Sequence, residues 1–538
     1  MKYMVSETKH KWWQETVFYE IYMASFQDSN GDGIGDFRGL TDRLDYLQDL
    51  GVNGLWITPF YPSPKVDNGY DVADYFNVDP DFGNLSDFDN FIEQAHARNI
   101  KVIIDVVLNH VSTEHLWFKQ AVSDRKSKYR DYFFFQDEPN GRESFFGGSA
   151  WQKEADGPQV YYHKFAPEQA DLNWQNKAVR EDMQAVLKFW LDRGVDGFRF
   201  DVINFLSCNG VGEENSSDVS GKQIHSHDID QPGIFECISE ICTFVRDYSK
   251  DCFLVGEVGH EELSKLVPYQ SDDLLDVVFN FNLGSIASFD IGNVHEQLVA
   301  MEDRQGGLPT IFFNSHDMPR SMSRLCQNNA AHAAALAALT LTARGVSFLY
   351  FGEEIGLADF IPENIHEMRD VQAINHYQLA LDEGKTKSQA YGRALKECRD
   401  KSRLYMQWNS HKFSGFSSSI PWIGEGAPNS NMPNVEAQIN DPDSLLHWYK
   451  MLIALRRECP ALNLGRYDVL SLDKGLLTFV RRWQNQILHI MINFCDVKYA
   501  FNHNPSHEVL ASKGLNLGEP DFLLPFGTLI TREVQDVC

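Results

Sequence analysis

The sequence has few basic residues, few cysteines and no long apolar run, and each shortage excludes a class of protein. No apolar stretch is long enough to cross a bilayer, and residues 1–13 are polar, unlike a charged segment followed by an apolar signal core. Lys and Arg number 48 against 76 Asp and Glu, which gives a formal net charge of −28. We therefore expect a cytoplasmic protein that binds neither nucleic acid nor membranes.

The nine cysteines are scattered between Cys208 and Cys538. Cys237 and Cys242 are the closest pair in sequence, and they have neither zinc-type spacing nor a second pair to match them. We therefore expect reduced, buried thiols and no zinc bound to these residues.

Short apolar segments alternate with helical segments along most of the chain. Eight segments have strand character, namely residues 17–22, 54–57, 102–107, 197–201, 253–255, 277–279, 311–313 and 347–350. Strands that alternate with helices indicate a parallel sheet. About eight such units in series predict an α/β protein with a (β/α)8 TIM barrel.

Two regions interrupt this alternation and predict added domains. Residues 110–177 are aromatic and rich in loops, which indicates a domain inserted after the third strand. Residues 466–538 contain short alternating segments typical of a C-terminal antiparallel β-sandwich. The barrel is then expected to occupy residues 1–109 and 178–465, with a loop-rich subdomain at about 355–420.

Charged residues lie in or just after the predicted barrel strands, where barrels hold their chemistry. Arg199 and Asp201 are two apart on a strand, so they share one face, while Phe198 and Phe200 share the other. A guanidinium next to a carboxylate favours the ionised carboxylate. The residues at the strand ends are Asn109, His110, Arg199, Asp201, Glu257, His316 and Asp317.

Two carboxyl groups of opposite protonation can cleave a glycosidic bond. We predict that Asp201, ionised beside Arg199, attacks the anomeric carbon. Glu257 has no neighbouring cation in the sequence, so it suits the acid that protonates the leaving oxygen and then activates water. Asp317 would hold the sugar hydroxyls. The histidines are far apart, so no metal cluster is indicated at this site, and no organic cofactor is expected.

One early loop has oxygen-bearing groups at alternate positions: Asp28, Asn30, Asp32 and Asp36, with the carbonyl of Ile34 between them. Oxygen ligands on a glycine-bent loop suit Ca2+. We predict a structural calcium ion here. The alternative is a solvated turn.

Four segments, in order, resemble the four motifs of the α-amylase family, glycoside hydrolase family 13. They are residues 105–110 (Asp-Val-Val-Leu-Asn-His), 197–201 (Gly-Phe-Arg-Phe-Asp), 256–258 (Gly-Glu-Val) and 313–317 (Phe-Asn-Ser-His-Asp). Residues 169–174 (Gln-Ala-Asp-Leu-Asn-Trp) resemble a further motif of its oligo-1,6-glucosidase group, which includes dextran glucosidases and trehalose-6-phosphate hydrolases. The similarity extends over nearly the whole chain.

This resemblance implies a retaining mechanism with Asp201 as nucleophile, Glu257 as acid and base, and Asp317 as transition-state stabiliser. It also implies calcium in the loop that starts at Asp28. The residues it implies around the first sugar are Tyr70, His110, Arg199 and His316.

The implied activity is that of an exo-acting α-glucosidase on a disaccharide or short oligosaccharide. Asp67 is implied to pair with an arginine that closes the pocket, and we favour Arg403 over Arg399. In this group Val202 after the nucleophile accompanies α-1,6 linkages, so isomaltose-type substrates are expected. A branched side chain discriminates linkages by only about 1–3 kcal/mol. We expect a monomer or a weak homo-oligomer.

Departures from the group keep a trehalose-6-phosphate hydrolase as the alternative. Ala170 replaces a proline, residues 65–67 resemble the phosphate-specific branch, and Lys164 is a candidate phosphate ligand. The arginine-rich loop of sucrose isomerases is not apparent, which favours hydrolysis. A non-catalytic transporter-associated protein is a distant alternative, because this chain keeps all three carboxylates and has no membrane anchor.

Overall fold

The computed structural model describes residues 10–155, 157–219, 221–260, 262–302, 307–424, 432–518 and 520–534. Eight parallel strands form a nearly closed barrel. The strands are β1 Val17–Ile21, β2 Gly54–Ile57, β3 Lys101–Val107, β4 Gly197–Asp201, β5 Phe253–Gly256, β6 Val277–Val278, β7 Thr310–Ile311 and β8 Val346–Tyr350. Their hydrogen-bonded order is β6-β5-β4-β3-β2-β1-β8-β7. The predicted (β/α)8 barrel is confirmed.

Helices connect the strands and continue into the added segments. The α-helices are Met23–Phe26, Phe37–Asp42, Leu44–Leu50, Leu85–Ala97, Leu116–Ser123, Lys177–Asp192, Ile234–Tyr248, Leu263–Leu266, Phe281–Gly284, Ile291–Glu302, Ser321–Arg324, Ala330–Thr342, Val371–Asp382, Lys387–Glu397, Val435–Ile439, Leu445–Glu458 and Pro460–Asn463. Polar side chains cap the first turns of nine of these helices. Asn84, for example, accepts hydrogen bonds from the backbone N–H groups of Ser86 and Asp87.

The barrel strands are buried on both faces, which explains why their sequences are apolar rather than alternating. All five residues of β4 are buried. Phe198 and Phe200 stack with ring centroids 6.0 Å apart, while Arg199 contacts Asp201 at 2.7 Å. The predicted division of β4 into an aromatic face and a charged face is confirmed.

Strand register brings distant parts of the chain together at one rim of the barrel. In the pairing of β3 with β4, Asp105 lies beside Arg199. Glu257 directly follows β5, and Asp317 lies beyond the end of β7. Because parallel strands of a barrel end at the same rim, these four residues can form one site.

Between β3 and β4 the chain forms small antiparallel sheets. His110–Ser112 pairs with Gln169–Asp171, and a three-stranded sheet has the order Phe135–Gln136, Val160–Tyr162, Trp151–Lys153. The region predicted to be loop-rich after β8 contains a pair of helices, Val371–Asp382 and Lys387–Glu397. Small residues such as Ala373 and Ala394 are buried between them, so close helix packing replaces the expected loops.

The C-terminal domain is an antiparallel sheet of six strands. They are β9 Arg466–Asp473, β10 Leu476–Trp483, β11 Gln486–Asn493, β12 Tyr499–Phe501, β13 His507–Asn516 and β14 Asp521–Glu533. The long strand β14 pairs with β11, β12 and β13.

The eight described cysteines are free; five are buried and three are only partly buried. Cys538 lies outside the described residues. Among the described helices, none combines the length and the apolar character that a membrane crossing requires.

Candidate active site

Arg199 lies at the centre of the rim and contacts three carboxylates. Its Nη1 donates to Asp105 Oδ1 at 2.8 Å and to Asp201 Oδ1 at 2.7 Å, and its Nη2 donates to Glu257. The residue is only 2% exposed. The expectation that Glu257 has no nearby cation is therefore wrong, because β4 supplies one that lies far away in the sequence.

One guanidinium cannot fully compensate three carboxylates, of which Asp105 and Asp201 are buried. Burial raises the pKa of Asp201, and the charges of Glu257 and Asp105 raise it further, while Arg199 lowers it. Burial also raises the pKa of Asp105. The prediction that Arg199 alone keeps Asp201 ionised is thus incomplete. The cluster therefore favours retention of a proton.

Asp317 has the opposite electrostatic balance. Burial would raise its pKa, but His316, Arg399 and Arg403 hold that pKa well below the usual range. His316 Nε2 lies 3.0 Å from Asp317 Oδ2, and Arg403 Nη2 lies 3.2 Å from Asp317 Oδ1. Asp317 is therefore ionised and can accept hydrogen bonds from sugar hydroxyls.

His316 is held between two acids and a tyrosine. Its Nδ1 contacts Glu20, and its Nε2 lies 2.7 Å from the Tyr70 hydroxyl as well as next to Asp317. Burial would lower the pKa of His316, but Asp317 and Glu20 raise it to about 9. The imidazole is therefore charged at neutral pH. The Tyr70 hydroxyl in turn donates to Asp105 Oδ2 at 3.0 Å, which joins this group to Arg199.

The reactive groups border a cavity of about 220 Å³. Its lining residues are Asp67, Tyr70, His110, Phe146, Phe165, Gln169, Asp201, Val202, Glu257, Asp317, Gln372 and Arg399. Seven of the ten residues predicted for catalysis and substrate binding are in this lining, and Arg199 and His316 lie directly against it through their contacts with Asp201 and Asp317. The tenth, Arg403, is not in the lining.

The arginine that pairs with Asp67 is Arg399, so our preference for Arg403 is wrong. Arg399 Nη2 donates to Asp67 Oδ1 and to Asp370 Oδ1, each at 2.6 Å. Arg403 instead donates to the carbonyl of His316 at 3.1 Å and to Asp317. The 3₁₀ turn Arg399–Ser402 brings both guanidinium groups to Asp317, but only Arg399 reaches Asp67. Because Arg399 and Arg403 are only four residues apart, the sequence alone does not tell which of them reaches Asp67.

His110 is neutral, in contrast to His316. Burial lowers its pKa to about 4. Its Nε2 accepts a hydrogen bond from Gln169 Nε2 at 3.0 Å, and the same amide donates to Asp67 Oδ2 at 3.1 Å. Gln169 thereby orients two of the predicted sugar ligands, and its place in the 169–174 segment is the sequence signal for it.

Several residues of the site escaped the sequence prediction. Glu20 is a buried acid within the apolar strand β1, the same kind of signal that singled out Arg199. Asp370, Gln372 and Phe146 are supplied by segments that approach the rim only in the folded protein, and no pattern in their own sequence identifies them.

Val202 has a left-handed backbone, with φ of 35° and ψ of 46°. This conformation is rare for a β-branched residue and costs about 1–3 kcal/mol. It directly follows the predicted nucleophile, and its N–H donates to Glu257 Oε2 at 3.4 Å. The strained turn therefore connects the Asp201 strand to the opposite carboxylate.

The predicted calcium ligands form a compact loop. Asp28 Oδ1 accepts from the N–H groups of Asn30 and Gly31, and Asp32 Oδ1 accepts from that of Ile34. The donor set suits a hard cation. Asp36 fits less well, because its carboxylate caps the helix Phe37–Asp42 and also accepts two hydrogen bonds from Ser29. Calcium stays a prediction.

Known proteins resemble this chain over most of its length. Residues 20–465 match the family described as the alpha-amylase catalytic domain. A trehalose-6-phosphate hydrolase of Escherichia coli is 37% identical over 514 residues, which cover 90% of each chain. An oligo-1,6-glucosidase of Bacillus cereus is 35% identical over 512 residues, which cover 90% of this chain and 91% of that protein.

Solved structures resemble this chain over nearly its whole length. An isomaltulose synthase from Klebsiella has a TM-score of 0.89 at 32% identity and covers 97% of this chain and 100% of its own. A trehalose-6-phosphate hydrolase from Bacillus licheniformis has a TM-score of 0.84 at 33% identity, with the same coverage.

The raised pKa of His316 predicts a pH-dependent stability. A histidine titrates near pH 6.5 in the unfolded chain and at about 9 here, so its stabilising effect is complete below about pH 6.5 and is lost as pH rises through about 9. We expect the free energy of unfolding to fall by on the order of 3 kcal/mol over that range. Denaturant unfolding at several pH values measures it.

The variant His316→Gln should lack this pH dependence, because an amide cannot titrate. His411→Gln serves as the control, since His411 is exposed and should leave the dependence as in the wild type. The same slope of stability against pH in wild type and His316→Gln would contradict the assignment of the charge to His316.

Proposed function

The chain belongs to the α-amylase family of glycoside hydrolases, and we propose that it is a retaining, exo-acting α-glucosidase with a preference for isomaltose-type α-1,6 linkages. The observation that carries this proposal is the double contact of Arg199, which bonds Asp201 through one terminal nitrogen and Glu257 through the other. Both carboxylates therefore lie within the reach of one guanidinium. Retaining glycosidases need such neighbours, at about 5–5.5 Å.

The proposed reaction proceeds by double displacement. Asp201 attacks the anomeric carbon while Glu257, in the role of general acid, protonates the leaving oxygen. Glu257 then removes a proton from water, which attacks the glucosyl-enzyme and releases glucose with its α configuration. Asp317, held ionised by its cationic neighbours, binds hydroxyls of the sugar as positive charge develops on the ring.

Exo action is supported by the ion pair between Asp67 and Arg399. The pair borders the cavity, and Asp370 holds the guanidinium from a second side. A glucan chain that continued past this point would have to displace two salt bridges. The pocket therefore suits one terminal glucose at the non-reducing end.

Preference for α-1,6 linkages is supported by Val202, which borders the cavity next to the nucleophile. Its branched side chain is fixed there by the left-handed backbone. Shape discrimination of this kind amounts to about 1–3 kcal/mol, so we propose a preference and not an exclusive specificity.

A trehalose-6-phosphate hydrolase is the second candidate, since relatives of that name are as similar as the oligo-1,6-glucosidases. The charge distribution favours a neutral substrate. Among the described lining residues, the only permanent cation is Arg399, which already pairs with Asp67 and Asp370.

Lys164, the candidate phosphate ligand, and Lys65, in the segment that resembles the phosphate-specific branch, already have partners. Lys164 is fully buried, and its Nζ donates to Asp171 at 2.8 Å and to Phe205 O and Ser207 Oγ at 2.6 Å each. Lys65 pairs with Asp79 and Asp81. Neither is available as a phosphate ligand without breaking these contacts.

Hydrolysis is favoured over isomerisation, although an isomaltulose synthase shares the fold. Residues 258–315 contain a single arginine, Arg304, which lies outside the described residues.

We further propose a cytoplasmic location, which the free cysteines favour because disulfides are rare in reducing compartments. A monomer or weak homo-oligomer remains our proposal for the assembly.

Substrate preference is tested with a panel of isomaltose, panose, maltose, trehalose and trehalose 6-phosphate. We expect glucose release with the highest kcat/KM on isomaltose and panose, because the pocket holds a neutral terminal glucose. NMR of the first product should show α-glucose. Faster cleavage of trehalose 6-phosphate than of isomaltose would replace our first candidate with the second.

The role of Asp201 is tested by Asp201→Asn, which we expect to lower kcat by at least about a thousand-fold while the fold is kept. Asp201→Gly with azide and α-glucosyl fluoride should recover turnover and yield β-glucosyl azide, because azide occupies the place of the missing nucleophile. Asp105→Asn is the matched control: it removes another carboxylate partner of Arg199, so azide should not restore it.

We also propose that Asp28, Asn30, Asp32 and the carbonyl of Ile34 hold a structural calcium ion, with Asp36 as an additional ligand. Ca2+ should raise the melting temperature of the wild type relative to a chelator-treated sample, and Asp32→Asn should reduce that shift. Asp45→Asn, on an exposed helix position, is the control. Equal shifts in all three proteins would contradict a site in this loop.

A further inference from the structure

Two histidines and a glutamate form a cluster on the C-terminal sheet, in a different domain from the barrel rim. His489 is on β11, His507 starts β13 and Glu533 ends β14. One potential ligand atom from each lies within 4.8 Å of the other two, and no other group of three among the described ranges meets this criterion. We propose that this cluster binds a divalent transition metal of the zinc type.

Strand register places the three residues on one face. In the pairing of β11 with β14, His489 lies opposite Thr531, and in the pairing of β13 with β14, His507 lies opposite Glu533. Thr531 and Glu533 are two apart on β14, so they share a face. The sheet thus fixes three ligands on three adjacent strands before any ion arrives.

The opposite face of the same strands belongs to the hydrophobic core. Leu488, Ile490 and Ile530 alternate with the cluster residues and are fully buried. A change of register would therefore bury the histidines and expose this core. The core in this way holds the ligands in their positions.

The groups face each other through atoms that bind metals. His489 Nε2 lies 2.8 Å from Glu533 Oε1. The imidazole rings of His489 and His507 lie with centroids 4.6 Å apart. His507 Nδ1 is 3.5 Å from the Thr531 hydroxyl, which leaves its Nε2 for a ligand bond. Two imidazoles and one carboxylate with a position left for water are a zinc coordination set.

The cluster is reachable from solvent, and within the described part of the chain Glu533 forms no salt bridge with a lysine or arginine. The side chains of His489 and Glu533 are 29% and 37% exposed. The nearest basic residue on β14, Arg532, projects to the other face and pairs with Glu508. A bound ion would link β11, β13 and β14, so it should stabilise this domain and leave turnover at the barrel rim unchanged.

The test uses the full chain with its thiols reduced and with Ca2+ in excess, so that the loop at Asp28 does not compete. Isothermal titration with Zn2+ should give one site per chain, accompanied by a higher melting temperature. Co2+ should give the intense visible absorption of four-coordinate cobalt. His489→Ala, His507→Ala and Glu533→Gln should each weaken binding by at least about ten-fold.

Glu508→Gln is the matched control. Glu508 follows His507 on β13 but projects to the opposite face of the sheet, so this variant should bind Zn2+ as the wild type does. Circular dichroism confirms the fold of each variant, and Glu533→Gln, which keeps shape, decides the case if a histidine variant does not fold. Unchanged Zn2+ affinity in Glu533→Gln and the histidine variants would overturn the proposal. A thiolate-to-cobalt charge-transfer band would do so as well, because it places the ion on cysteine.

Discussion

The site depends on one buried guanidinium that serves three carboxylates. Arg199 contacts Asp105, Asp201 and Glu257 together, and a single positive charge cannot balance three negative ones. Retention of a proton relieves the imbalance. The pKa of Asp201 is raised accordingly, first by burial and then by the charges of Glu257 and Asp105.

Rigid placement of this cluster comes from a chain of contacts that crosses the barrel. Glu20 on β1 holds His316, His316 contacts Tyr70, and Tyr70 donates to Asp105, which bonds Arg199. Each link comes from a different strand or the loop after it. Because the barrel fixes the strands relative to one another, the charged groups need little reorganisation when a substrate arrives.

Sequence reasoning located the chemistry well and the partnerships poorly. The strand and helix periods predicted the barrel, and the charges within apolar strands pointed to Arg199 and Asp201. The sequence favours Arg403 as the partner of Asp67, whereas Arg399 makes the contact. The sequence also leaves Glu257 without a cation and offers Lys164 for phosphate, although Lys164 is buried and bonded to Phe205 O and Ser207 Oγ. Each of these errors concerns a contact between residues far apart in the chain.

The sequence by itself determined the class of fold and the family, and it predicted three carboxylates at the strand ends, because periodicity and charge within apolar strands are local properties that the order of residues records. Only the tertiary structure decided that Arg199 contacts three carboxylates and that Arg399 is the partner of Asp67. It also brought His489, His507 and Glu533 together on one sheet. Those outcomes depend on strand register and on side-chain reach across the fold, and both are set when distant segments pack against each other.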